Sequence, residues 1–181
     1  MHSYFFEDFA SGQSFETAGR TITEADLTLF SMVSGDWNPI HADVEFAKGT
    51  RYGQRVVHGA LGIAIATGKL HELGIFGESV VGMMGLRNWV FREPIFVGDT
   101  IRLRLTILEK ELGRSGRSGR VGRRFELLNQ RNAVVQEGES DVLVLARDAA
   151  AAVQGDGDAT TPGESRAPAG VHRRAIEEDR R

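Results

Sequence analysis

The stretch Ser34-Gly35-Asp36-Trp37-Asn38-Pro39-Ile40-His41-Ala42-Asp43 sets a carboxylate, Asp36, five residues before an imidazole, His41. Pro39 stiffens the segment between them, and the residue before a proline is pushed toward extended backbone. Two such side chains on a stiff loop can converge on one point. Adding water to a double bond needs one proton taken from water and one given to carbon. An Asp and a His around one water can do both. Asn38 can orient the loop through backbone hydrogen bonds. Taken alone, Asp36 and Asn38 are also ordinary turn-forming residues.

A second group is Val56-Val57-His58-Gly59, which leads into a run with helical character. The first backbone N–H groups of a helix lack internal partners and lie at the positive end of its dipole. A thioester carbonyl placed there gains stabilisation as it becomes enolate-like, and glycine at 59 lets a substrate approach the backbone closely. Losing one such donor typically costs ~3–4 kcal/mol of transition-state stabilisation. His58 itself reads as structural, holding the loop before the helix. His71 reads as a favourable terminal charge or a surface residue. His2 and His172 lie in terminal segments and carry no weight.

These groups need a frame. Thr21 with Glu24, or Thr23 with Asp26, has capping-box spacing, and Leu27, Phe30 and Val33 follow at helical intervals. This helix should end near Ser34-Gly35. A second helix is predicted over 59–73, with Gly74 as its stop. Its opening Gly-Ala-Leu-Gly-Ile-Ala-Ile-Ala is apolar on every face, as in a buried helix. Gly62 and Gly68 cost helix stability and suggest close packing. Beyond Gly77 the period changes to two. Ile101, Leu103, Leu105 and Ile107 alternate with Arg102, Arg104 and Thr106, as in a half-buried antiparallel strand. Further strands are predicted over 79–91, around Val121, Phe125 and Leu127, and over 134–145, with a hairpin turn at Gln130-Arg131-Asn132-Ala133. A mostly antiparallel sheet after one buried helix is an α+β arrangement. The sheet must curl around the helix, since nothing else in the chain can cover it.

The chain has 181 residues, 41 % of them hydrophobic, with a net charge of −3 and no cysteine. That length fits one domain and a tail. Composition breaks near Arg147: residues 148–181 are rich in Ala, Gly, Asp, Thr, Pro and charge, and cannot bury enough surface to offset their ordering entropy. The folded domain is read as 1–147 and the remainder as a disordered tail. The lack of cysteine excludes a Cys nucleophile, a disulfide framework and a Cys-ligated zinc site. The net charge gives no positive field to gather nucleic acid. No apolar stretch of ~18 residues predicts a membrane span. The first ten residues, with Glu7 and Asp8, do not read as a secretory signal. A cytoplasmic location is the expectation. Arg114, Arg117, Arg120, Arg123 and Arg124 fall in the Gly/Ser-rich stretch 113–124, which reads as a solvated hairpin loop; docking of phosphates is the alternative.

The string from Gly35 to Asp43, followed by His58-Gly59, resembles the signature of the MaoC-like family, the (R)-specific enoyl-CoA hydratases of hot-dog fold. Phe96-Val97-Gly98-Asp99-Thr100 resembles that family's later Gly-Asp-Thr strand start, and the resemblance covers about residues 3–147. It implies reversible hydration of a 2-enoyl thioester to the (R)-3-hydroxyacyl thioester, with Asp36 and His41 activating water and the Gly59 N–H binding the thioester oxygen. It implies that a helix hydroxyl, here Thr67, bonds the catalytic Asp; a bond from Thr67 to a carbonyl of its own helix is the other reading. A homodimer is implied, and no metal or redox cofactor is expected. Coenzyme A or phosphopantetheine arrives as part of the substrate. Trp37 and Trp89 could then line an acyl tunnel or merely pack. Hot-dog folds also host thioesterases, and fold alone does not decide. A pair of proton carriers favours hydration. The third reading is a non-catalytic subunit that binds acyl thioesters, though a mere binder need not keep both Asp36 and His41.

Overall fold

The computed structural model describes residues 3–149. All but the first two positions of the predicted tail lie outside the described residues. After a short 3-10 turn at Phe6–Asp8 come strands β1 (Ser14–Glu16) and β2 (Arg20–Thr21) and helix α1 (Glu24–Ser34). Two short helices follow, α2 (Pro39–Ala42) and α3 (Val44–Lys48), and then the central helix α4 (Gly59–Glu72). Four long strands complete the domain: β3 (Val80–Phe91), β4 (Thr100–Leu112), β5 (Ser118–Leu128) and β6 (Val134–Leu145). They form one antiparallel sheet in the order β1-β4-β5-β6-β3, and β2 also pairs with β4.

The alternation read from the sequence sets which face is covered. Ile101, Leu103, Leu105 and Ile107 of β4 are 0 % exposed. Phe125 and Leu127 of β5 stand opposite Leu105 and Leu103. Val135, Val142 and Val144 of β6 join the same core. Against this face α4 lays Leu61, Gly62, Ile65, Ala66 and the stem of Lys69. The Lys69 ammonium is buried yet satisfied, donating to the Ala18 carbonyl at 2.9 Å and to Glu72 at 2.8 Å.

The expectation that α4 is covered on every face is met on one side only. Ala60, Ala64, Gly68 and His71 are exposed. The sheet curls over one side of the helix, and among the described residues nothing covers the other. A second correction concerns residues 113–124. The turn ends before Ser118, where β5 begins, so Arg120, Arg123 and Arg124 are strand residues. Arg120 is 3.0 Å from Glu109, Arg124 is 3.6 Å from Glu139, and Arg123 is buried. No helix among the described residues is long and apolar enough to cross a membrane.

Helix α1 carries the loop that holds Asp36, and its two ends are built from side chains. Thr23 is the N-cap: its hydroxyl accepts the Asp26 N–H, while the Asp26 carboxylate accepts the Thr23 N–H at 2.8 Å. Gly35 closes the helix in the left-handed conformation, at φ 74°, with its N–H on the Ser31 carbonyl. Burial opposes ionisation of Asp26, but the bonds from Thr23 and Arg20 outweigh it and hold its carboxyl below the ordinary value. A carboxyl so lowered gives its full stabilisation above its ordinary pKa, and loses it as pH falls through the lowered one. Thr23→Ala should therefore lower the unfolding free energy by about 1 kcal/mol. The deficit should shrink in acid, as urea titrations at neutral and acidic pH would show.

Candidate active site

The chain leaves α1 at Gly35 and turns at once. The Asp36 Oδ1 accepts the Asn38 N–H at 3.1 Å, and the Asn38 Oδ1 accepts the Ile40 N–H at 3.1 Å. Asn38 is thus the N-cap of α2, with Pro39 at its first position, where a missing N–H costs nothing. The sequence reading of this stretch as a loop holds for Asp36 to Asn38. His41 instead rides on the short helix α2.

His41 Nδ1 lies 2.7 Å from the Val56 carbonyl oxygen. A carbonyl only accepts, so Nδ1 carries the hydrogen and Nε2 is the nitrogen left to exchange a proton. That Nε2 is 3.9 Å from the Asp36 Oδ2. One water at ordinary hydrogen-bond distance can touch both atoms. The side chains differ in exposure, 15 % for His41 and 50 % for Asp36, so the pair has one wet and one sheltered member.

His41 and Gly59 share an open cleft of about 390 Å³, lined also by Tyr52, Val57, Phe91, Ile95 and Gln136. Gly59 is the first residue of α4 and its N–H has no acceptor within the helix. A Cβ at 59 would come within 2.8 Å of the Phe91 ring, so the close approach requires glycine. His58, 2 % exposed, bonds the Asp36 carbonyl through Nε2 at 3.0 Å. Asp36, His41 and His58 each bring a possible donor atom within 4.8 Å of the others. His58 spends the nitrogen facing Asp36 on that carbonyl.

Asp36, Asn38, His41, His58 and Gly59 are therefore brought together, and Thr67 is not. Thr67 lies eight residues beyond Gly59, about 12 Å along the helix axis. Its hydroxyl donates to the Ala64 carbonyl at 2.8 Å, within its own helix. The bond to Asp36 implied by the resemblance is absent within this chain. Trp37 is exposed, while Trp89 donates to the Gln136 Oε1 at 3.2 Å.

The MaoC like domain family matches residues 8–126. The chain belongs to the MaoC-like family. Its curled antiparallel sheet around α4 is the hot-dog fold. It is 29 % identical over 151 residues to the (R)-specific enoyl-CoA hydratase of Rhodospirillum rubrum, covering 80 % of this chain and 94 % of that one. It is 40 % identical over 106 residues, 59 % of its length, to Protein MaoC of Klebsiella aerogenes, but spans only 31 % of that protein. The unliganded R-hydratase PhaJ1 of Pseudomonas aeruginosa superposes with a TM-score of 0.66 at 25 % identity, covering 91 % of this chain and 97 % of the other. The family's named relatives include hydratases and dehydratases of acyl thioesters.

One contributor carried no motif. Gln136 of β6 is 3 % exposed and donates to the Gly59 carbonyl at 3.3 Å, with its Oε1 held by Trp89. It stands opposite Leu127, on the core-facing register. A polar residue on an apolar register was the available signal. Gln136 fits only because residue 62 is glycine: a Cβ there would lie 2.2 Å from the pinned amide. Alanine favours a helix over glycine by up to ~1 kcal/mol, but overpacking costs about 1–3 kcal/mol. Gly62→Ala should therefore destabilise the MaoC-like domain despite its better helix propensity, which denaturant unfolding would measure.

Proposed function

We propose that the chain hydrates a 2-enoyl thioester to the (R)-3-hydroxyacyl thioester, and runs the reverse dehydration, with Asp36 and His41 as the proton-moving pair. The observation that carries this reading is the placement of His41 Nε2, 3.9 Å from the Asp36 carboxylate, in one cleft with the mouth of α4. In hydration, water held by the pair loses a proton to it as its oxygen bonds to C3. The C2–C3 π electrons move toward the thioester, and the oxygen gains charge facing the Gly59 N–H. The pair then returns a proton to C2. Atoms and electrons balance with water alone, so the chemistry calls for neither a metal nor a redox group. Coenzyme A or phosphopantetheine comes with the substrate. The names of the relatives support this class of reaction.

Asp36→Asn and His41→Ala should each lower turnover at least ~10²-fold with the fold intact, read as loss of enoyl absorbance. Near-normal turnover in either variant would remove the mechanism. Release of free thiol with the enoyl chromophore unchanged would turn the assignment to hydrolysis.

The proposed working unit is a homodimer built on β3. Among the described residues the outer edge of this strand is unpaired. Met83, Met84, Leu86, Val90 and Phe91 are exposed along it. A long apolar edge is a template for pairing with another chain. Met84→Lys with Leu86→Lys should shift the protein from dimer to monomer in sedimentation; a wild-type monomer would end the proposal.

A further inference from the structure

His58 joins the working parts of the site. It is the N-cap residue of α4, immediately before Gly59, yet its side chain makes no capping bond to that helix. Its Nε2 instead lies 3.0 Å from the Asp36 carbonyl oxygen and 3.2 Å from the Ser31 hydroxyl. Its ring stacks on His41, with centroids 3.9 Å apart and planes at 26°. Phe30 packs against it, at 5.0 Å.

The hydrogen positions follow from the partners. The Asp36 carbonyl only accepts, so His58 Nε2 carries the hydrogen. Nδ1 then holds a lone pair, and it is buried with no hydrogen-bond partner among the described residues. A bare buried acceptor costs stability. A side chain needed only to fill space would do better as a plain aromatic ring. The cost is matched by what the ring holds in place: the backbone of Asp36 on one edge and the imidazole of His41 on one face.

We propose that His58 is a positioning residue, fixed in its Nε2–H tautomer, that sets Asp36 and His41 in register with the Gly59 N–H. This rests on the reading of Asp36 and His41 as the proton-moving pair. Misplacement by about 1 Å can cost 10²-fold in rate, and the His58 bond holds the backbone that carries the Asp36 carboxylate.

The test has two arms on the full chain. Long-range 1H–15N NMR of the histidine rings should show His58 protonated on Nε2 and bare on Nδ1; the opposite tautomer would overturn the proposal. This arm needs no substrate, so it stands even if the protein hydrates no 2-enoyl thioester, a result that would instead defeat the functional reading. In the second arm, His58→Phe keeps a ring and loses the donor. It should lower kcat ~10²-fold while KM stays within ~3-fold. His58→Gln places an amide N–H near the lost one and should recover kcat to within ~10-fold of wild type. Wild-type kcat in His58→Phe sinks the proposal. Should that variant not fold, a His58→Gln enzyme as slow as Asp36→Asn sinks it equally.

Discussion

The hydrogen bond from His41 Nδ1 to the Val56 carbonyl is the tie on which the site depends. It joins α2 to the segment that leads into α4, and it is doubled by the Val56 N–H, which donates to the Ile40 carbonyl at 3.1 Å. On its other side the same segment is fixed to the β3–β4 connection, through the Val57 N–H on the Ile95 carbonyl at 2.8 Å. Residues far apart in sequence are thus bound by backbone groups, which have few alternative positions once paired. The bond also selects the ring nitrogen that faces Asp36.

The helix mouth is held from the opposite side by Gln136, one of several polar or small residues on the core-facing register of β5 and β6. Gln136 bonds the first turn of α4, Gly138 leaves room for the Trp89 ring, and Ser140 accepts from Arg123 at 3.0 Å. Arg123 is the costly member. Burial pushes its guanidinium down to about 10, against the opposing pull of Asp141. It keeps its charge at neutral pH and lies over the Phe76 and Phe125 rings, at 5.0 and 5.3 Å. Aromatic faces attract a desolvated cation, which offsets part of that burial. A sheet made only of apolar residues on this face would pack, but it would not pin the Gly59 turn.

Local patterns carried most of the fold. The Thr23–Asp26 cap, the β4 alternation and the Gly74 stop are short-range signals, and each appears where the residues put it. Asp36, His41 and Gly59 were legible because the motif is contiguous and the helix start is marked by glycine. What was not legible depends on contacts distant in sequence. Gln136 became part of the site only through Trp89, Gly59 and Gly62. The arginines of β5 looked solvated because Gly and Ser surround them, yet their neighbours across the sheet are acidic: Glu109, Glu139 and Asp141. Thr67 matched by position, but a helix hydroxyl without a near neighbour returns to its own backbone. The apolar run of α4 announced burial without saying what buries it.

That last ambiguity links assembly to chemistry. The open side of α4 bears Ala60, Ala64 and Gly68, small enough for another surface to approach closely. Strand β3, whose outer edge is unpaired among the described residues, ends at Phe91, whose ring packs on Gly59 and lines the cleft while 57 % exposed. Under the proposed pairing, a second copy on β3 would cover apolar side chains that now face water. It would also wall the cleft beside Phe91. Excluding water there strengthens the attraction between the Gly59 N–H and a charged thioester oxygen, because the interaction grows as the local dielectric falls. The same strand would then serve two ends, burial of its own edge and the drying of the helix mouth, and the reaction would gain from the second copy without borrowing a catalytic side chain from it.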